Sequence, residues 1–262
     1  MNKPVVLLPC HNSHDALIKS LESLKGGDVD ICIIDDGSKV ALKAKELENC
    51  ISHNQKLHVQ RFDVNIGITK ALNYGLKFLS GKGYKHLFRL DAGDIFLKQK
   101  IKKQLGYMND NNLVLCGTYV EFIDEQGNHL YNFTPPTNHK DLCKALKQYN
   151  PFIHPSVLFD LDKILELGGY PDNYPALEDW ALFLEVSKKY KVGILPEVLL
   201  KYEVSSTSIS TTRRREQAKS KVKLLWDNFE PNLHSIVGLA RNIAICYLPR
   251  NLLTLLKSKI YK

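Results

Sequence analysis

Val5-Val6-Leu7-Leu8-Pro9-Cys10-His11-Asn12 runs from four apolar residues in succession into a polar tip. The pattern returns at Asp30-Ile31-Cys32-Ile33-Ile34, which ends in Asp35-Asp36-Gly37-Ser38. It returns again at Tyr84 to Leu90, which ends in Asp91-Ala92-Gly93-Asp94. A strand that is apolar throughout is covered on both faces, as in a parallel sheet. Helix signals lie between these strands. Leu17, Ile18, Leu21 and Leu24 share a face after the cap candidate Ser13, and Gly26-Gly27 stops that helix. Ile68, Ala71, Leu72, Gly75, Leu76 and Leu79 mark another, with His58 to Phe62 as a further strand before it. This alternation predicts an α/β fold with a mostly parallel sheet and helices on its faces. Ligands in such sheets bind beyond the carboxyl ends of the strands. One polar cluster there merely ends a strand; three, after successive strands, point to a shared site.

The second half is more mixed. Leu113 to Tyr119 reads as a strand with a hairpin through Gln126-Gly127-Asn128. Leu161 to Leu167 is a short helix closed by Gly168-Gly169. Asp179 to Tyr190 is a helix, and Val192 to Leu195 a short strand ended by Pro196.

The chain has 262 residues, 44% hydrophobic and 24% charged, which suits a globular protein with a full core and excludes a disordered or collagen-like chain. The six cysteines are scattered, without CxxC pairs or zinc spacing, and fit a reducing compartment. The apolar run at Val5–Leu8 is too short for a signal peptide, and no stretch reaches the roughly 18 apolar residues of a spanning helix. The net charge of +8 sits entirely in residues 211–262, which hold 11 Lys/Arg and 3 Asp/Glu; residues 1–210 are neutral. A neutral body with a basic tail argues against a nucleic-acid groove and for a tail that meets an anionic surface.

In order along the chain, the motifs are Leu8-Pro9-Cys10-His11-Asn12, Ile34-Asp35-Asp36-Gly37-Ser38, and Asn65 through Gly67, Ala71 and Asn73 to Gly75. Then come Arg89-Leu90-Asp91-Ala92-Gly93-Asp94, His154-Pro155-Ser156, Gly168-Gly169-Tyr170, Glu178-Asp179, and Tyr202 through Ser208-Ile209-Ser210. Together they resemble the family-two glycosyltransferases, inverting enzymes of the GT-A fold, over residues 4–210. The resemblance implies a GT-A domain over 1–210 followed by a basic, amphipathic helical region over 211–262. It implies a nucleotide-sugar donor, a UDP-sugar first among them, bound by Pro9, His11, Asn12, Asp36, Asn65, Lys70, Arg89 and Asp91. Asp36 would accept from base or ribose, His11 would pack on the base, and free N–H groups after Asn65 and Gly67 would favour the anion. An inverting transfer needs one carboxylate at the acceptor hydroxyl. The resemblance assigns that role to Asp179, with Glu178 orienting it or touching the acceptor, and His154 on the acceptor side. A pair of acids at a helix start is also what the helix dipole alone favours.

Four positions depart from the family pattern, one of them Glu185 in place of a frequent Arg after the acidic pair. Gly93 stands where the acid expected to hold a divalent ion belongs, and Glu203 and Ser205 replace an Arg and a His of the late motif. A manganese or magnesium ion would then have to rely on Asp91 or Asp94. This leaves an active enzyme with an altered metal site, a metal-independent enzyme, or a non-catalytic member that binds or scaffolds. Retention of Asp36, Asp91 and Asp179 favours activity. A nucleotidyltransferase of similar fold would carry a Gly-rich, Arg-containing loop after the first strand, and Pro9 to Ser13 is not one.

In the tail, Arg213-Arg214-Arg215, Lys219, Lys221 and Lys223 lie on an expected helix to Trp226. An apolar segment from Ile236 to Leu248 carries Arg241 and stops at Pro249; leucines and lysines follow to Lys262. Basic residues beside Trp, Tyr and Leu suit an interfacial helix on anionic lipid. The expectation is a cytoplasmic glycosyltransferase, peripheral on the inner face of the cell membrane. It would move a sugar onto a lipid-linked or surface-glycan acceptor in lipopolysaccharide, capsule or related polysaccharide assembly, with no nucleic-acid partner.

Overall fold

Every residue of β1 (Val5–Cys10) is buried, as its unbroken apolar run requires. A computed structural model describes residues 3–204 and 214–247 of the chain. β1 lies between β2 (Asp30–Asp35) and β4 (His86–Arg89), parallel to both, and β3 (Leu57–Arg61) extends the parallel set beyond β2. The helices that return the chain are α1 (His14–Leu24), α2 (Ala44–Asn49) and α3 (Ile68–Gly81). The expected mostly parallel first half is therefore present. Ser13 stands at the start of α1, but its hydroxyl makes no cap bond and instead meets Cys10 Sγ at 3.4 Å.

The sheet continues past β4 with strands of mixed direction. β8 (Leu158–Asp160) is antiparallel to β4 and to β6 (Leu115–Ile123), and β9 (Val192–Glu203) runs parallel to β6. β5 (Ile95–Phe96) borders β9, and the hairpin partner β7 (His129–Phe133) pairs with the end of β6. β9 does not stop at Pro196. The register against β6 jumps from Thr118 opposite Leu195 to Tyr119 opposite Val198, so a bulge takes up the proline and the strand runs on.

Two cores flank the sheet. One holds Leu72 and Leu76 of α3 with Trp180 and Phe183 of α7 (Glu178–Lys189) and Leu146 of α5 (His139–Leu146). The other holds Leu17 and Leu21 of α1 with Met108 of α4 (Lys100–Asp110). α4 carried no apolar periodicity because its buried face is Lys100, Gln104 and Met108. Lys100 Nζ reaches Gln104 Oε1 at 2.6 Å, and both side chains donate to Ser156 O, at 3.0 and 2.9 Å. They hold the single 3-10 turn His154–Ser156, and burial pushes the Lys100 ammonium down to about 7.

α6 (Leu161–Glu166) ends at Gly168 and Gly169, both at positive φ. The tail forms α8 (Arg214–Asp227) and α9 (Leu233–Tyr247), which pack on the body through Leu224, Leu225 and Leu239. The late Ser205–Ser210 segment and the leucines and lysines after Leu248 lie outside the described residues. Leu7 is fully buried at the centre of the sheet. Leu7→Ala is expected to cost about 2–5 kcal/mol, read as a lower urea midpoint at unchanged slope.

Candidate active site

The tips of β1 and β2 lock together. Asn12, at φ 52°, donates its backbone N–H to Ser38 Oγ at 2.9 Å and accepts from the Lys39 N–H at 2.8 Å. Asp35 is buried; it accepts from the Ser38 N–H at 3.0 Å and pairs with Arg61 at 2.5 Å. Gly37 has φ +69°, and a Cβ there would lie 2.4 Å from the backbone of Val64 and Asn65, so no larger residue fits this turn. The close approach lets Asp36 reach the start of α3, where its two oxygens accept from the N–H groups of Ile66 and Gly67 at 2.7 and 3.0 Å.

Several donor-side expectations change accordingly. Asp36 is 4% exposed and clamps the loop before α3 instead of offering both oxygens to a ligand. The Gly67 N–H, expected to meet an anion, is shared between Asp36 and Asn65 Oδ1. Pro9 is buried inside β1, where it shapes the strand. Asn12 is a staple between loops. His11 is exposed at the mouth, with Nδ1 2.7 Å from Asp36 O, and so remains placed to meet a flat group. Beside it a cavity of about 430 Å³ is lined by Asn12, Ser13, Ser38, Lys39 and Val40. Lys70 is exposed on the first turn of α3.

Arg89, at the end of β4, is 1% exposed. It donates to Leu7 O at 3.3 Å, to Leu90 O, and to Asp91 Oδ1. It is therefore an internal cation beneath the site and not a surface ligand for the donor. Asp91 leads from this pair to the cleft, with its side chain 39% exposed.

Glu178 and Asp179 open α7 on the same side. Burial, reinforced by the neighbouring Asp179, pushes Glu178 up to about 7, while Arg89 opposes the rise. Burial likewise raises Asp179 to about 6, with the Trp180 N–H lowering it and Asp91 raising it. Asn150 Nδ2 donates to Asp179 Oδ2 at 3.0 Å and fixes its direction. Asn150 was not found from sequence, since nothing but its place before Pro151 marks it. His154 Nε2 meets the Tyr170 hydroxyl at 2.7 Å, and burial plus Arg89 hold the imidazole well below its ordinary pKa, hence neutral. Tyr170 is set in turn by Asn73, which bonds both its N–H and its carbonyl at 2.8 Å. Gly169 beside it admits Asn73, since a Cβ would lie 2.5 Å from Asn73 Oδ1. The structure thus gathers Asp91, Glu178 and His154 around Arg89, with Asp179 beside Glu178 and Asp91, and leaves His11 and Lys70 exposed after β1 and at the start of α3.

The expected metal ligands fare differently. Asp94 is 3% exposed; Oδ1 accepts from the Glu203 N–H at 2.9 Å, and Oδ2 is buried without a partner. Burial, then Asp91, raises its pKa well above the ordinary range. Gly93 has φ +103°, and a Cβ there would be 3.5 Å from Glu203 Oε1. The Glu203 carboxylate thus stands next to the missing acid's place, but pairs with Lys19 at 2.5 Å. Among the described residues no three His, Cys, Asp or Glu side chains group to hold a metal ion. Of the two expected ligands only Asp91 is exposed, and it is paired with Arg89, so these residues do not fit a resident divalent ion.

Residues 5–159 match the family model for glycosyl transferase family 2. Among curated proteins, the chain is 30% identical over 226 residues to the amylovoran biosynthesis glycosyltransferase AmsE of Erwinia amylovora, covering 84% of this chain and 83% of that one. It is 28% identical over 197 residues to the O-antigen biosynthesis glycosyltransferase WbnJ of Escherichia coli, covering 74% and 75%. Among solved structures, S. aureus TarS 1-349 in complex with UDP-GlcNAc superposes with a TM-score of 0.69 at 14% identity, over 92% of this chain and 71% of that one. The mannosyltransferase PcManGT from Pyrobaculum calidifontis, in complex with GDP-Man and Mn2+, gives 0.65 at 14% identity, over 98% and 79%. The fold is GT-A, and the match from β1 to β8, with a relative aligned along most of its length, makes this chain a glycosyltransferase that belongs to glycosyl transferase family 2.

Proposed function

We propose that the chain transfers one sugar from a nucleotide-sugar, with inversion, to a hydroxyl of a lipid-linked or surface-glycan acceptor in bacterial polysaccharide assembly. Lipopolysaccharide or capsule is the product class, and Asp179 is the general base. The observation that carries this reading is the Asp179 carboxylate, aimed by Asn150 and raised toward neutrality beside Asp91 and Glu178. The names of AmsE and WbnJ support polysaccharide assembly, and the UDP-GlcNAc held by TarS supports a UDP-sugar.

In the reaction, the acceptor hydroxyl gives its proton to Asp179. Its oxygen bonds to the anomeric carbon as the bond from that carbon to the diphosphate oxygen breaks. The nucleoside diphosphate leaves with the electron pair, and attack from the opposite face inverts the centre. Lys70, exposed at the start of α3, would offset the charge of the leaving diphosphate. Burial raises both Glu178 and Asp179, so the two acids titrate as a pair.

Asp179→Asn is expected to lower turnover by at least about 100-fold while donor affinity stays within a few-fold. Nucleoside diphosphate release and calorimetry read the two quantities. Unchanged turnover would remove Asp179 from the mechanism.

The base works only when deprotonated. Turnover per KM should therefore rise with pH and level off above an apparent pKa between about 6 and about 7, the range of the Asp179–Glu178 pair. An acid limb near pH 4 would contradict the buried environment.

With Asp94 turned inward and Gly93 lacking a carboxylate, added manganese should tighten donor binding by less than about tenfold. Calorimetric titration of UDP-sugars with and without manganese tests this, and a much larger gain would assign the ion a site of its own.

A further inference from the structure

Helix α9 is built inside out. Its inner face is Ser235, Gly238, Leu239 and Asn242, all buried, of which Leu239 alone is a large apolar residue. Asn242 Nδ2 donates to Gln148 O at 3.0 Å, and His234 Nδ1 lies 3.0 Å from Gln148 Nε2. A Cβ on Gly238 would sit 2.0 Å from Lys147 O, so the helix backbone rests directly on the chain after α5. The outer face carries Leu233, Ile236, Val237 and Ile243, between 40% and 70% exposed, with Ala240 and Ala244 between them. At 100° per residue these six fall in one stripe about 120° wide. A helix whose outer side met only water would show the reverse pattern. Near its start, exposed Trp226 stacks on Phe229 with ring centroids 6.3 Å apart.

We infer that this stripe docks α9 flat on an anionic lipid surface, with Trp226 and Phe229 at the same interface. Charge selects the occupant. Residues 211–262 carry +8 while the rest of the chain is neutral, and Leu248 to Lys262 add leucines and four basic residues without an acid. Exposed Lys219 and Arg241 belong to the described part of this charge. A second copy would set like charge against like, whereas an anionic headgroup layer is complementary. Among the described residues no helix is long and apolar enough to cross a membrane, so the stripe lies on the surface.

Docking would also orient the catalytic end. The segment on which α9 rests, Lys147-Gln148, leads in two residues to Asn150, which aims Asp179. α8 adds a contact from Gln217 Nε2 to Ala176 O at 3.2 Å, two residues before Glu178. A lipid-linked acceptor would then meet the base from the membrane side; that step rests on the proposed function, while the docking itself does not.

The test is co-sedimentation of the full chain with phosphatidylcholine vesicles, with and without phosphatidylglycerol and with no donor present. Binding is expected only with phosphatidylglycerol, and to weaken as salt rises. The double variant Ile236→Asp, Ile243→Asp alters only exposed positions and keeps every basic residue. It should bind at least about tenfold more weakly at unchanged melting temperature and donor affinity. No binding by the parent chain, or equal binding by the variant, would overturn the proposal. So would a parent dimer that the variant turns to monomer without any lipid effect, because that assigns the stripe to a second copy.

Discussion

A guanidinium buried at the end of β4 sets the electrostatics of this protein's site. Arg89 cannot be deprotonated, and a lone cation at 1% exposure would cost several kcal/mol. Two backbone carbonyls, from Leu7 and Leu90, and the Asp91 carboxylate take its terminal N–H groups, while Nε is buried without a partner. Its charge then reaches outward. It restrains the rise of Glu178 and Asp94, and it helps keep His154 neutral against Tyr170. Its charge offsets part of the repulsion that Asp179 and Asp91 exert on Glu178. Burial still wins at Glu178 and Asp179, which therefore hold their protons to higher pH than ordinary acids.

The tips of β1 and β2 are held mainly by polar side chains joined to backbone. Asp36 and Asn65 close the N–H groups before α3, Asn12 and Ser38 tie the tips of β1 and β2, and Asp35 caps Ser38. Each such bond fixes a loop at the carboxyl ends of the strands, where an α/β sheet binds its ligand. A nucleotide would meet a preformed rim whose exposed groups are His11 and Lys70. Preorganisation of this kind lowers the ordering cost of binding.

The first four strands, α1 and α3 were legible because their apolar periodicity coincides with burial. The site motifs were legible as a set, since residues from Pro9 to Asp179 do converge at one end of the sheet. What sequence reading missed has a common physical cause. α4 buries Lys100 and Gln104, and α9 buries Ser235 and Asn242, so in both helices hydropathy is a poor guide to the inner face. The continuation of β9 beyond Pro196 was hidden by a bulge that no residue pattern announces. Asp36 and Arg89 were assigned to the ligand, when each is occupied within the protein. Residue type shows what a group can bond to; only the fold shows what has already bonded to it.

Gly93 and Glu203 show that distinction at its sharpest. In sequence they are two separate departures from a family pattern. In space they adjoin, with the Glu203 carboxylate 3.5 Å from where a side chain on Gly93 would begin. Glu203 also donates its N–H to Asp94 and pairs with Lys19, so the acid is tied at both backbone and side chain. An aspartate at position 93 would face both a positive φ and a like charge, which makes the two substitutions mutually dependent. The carboxylate lost from the β4 loop is thus met by one at the end of β9, which lies against a lysine of α1. The altered motif is a coherent rearrangement of charge around Asp91, and it leaves the proton-accepting pair on α7 untouched.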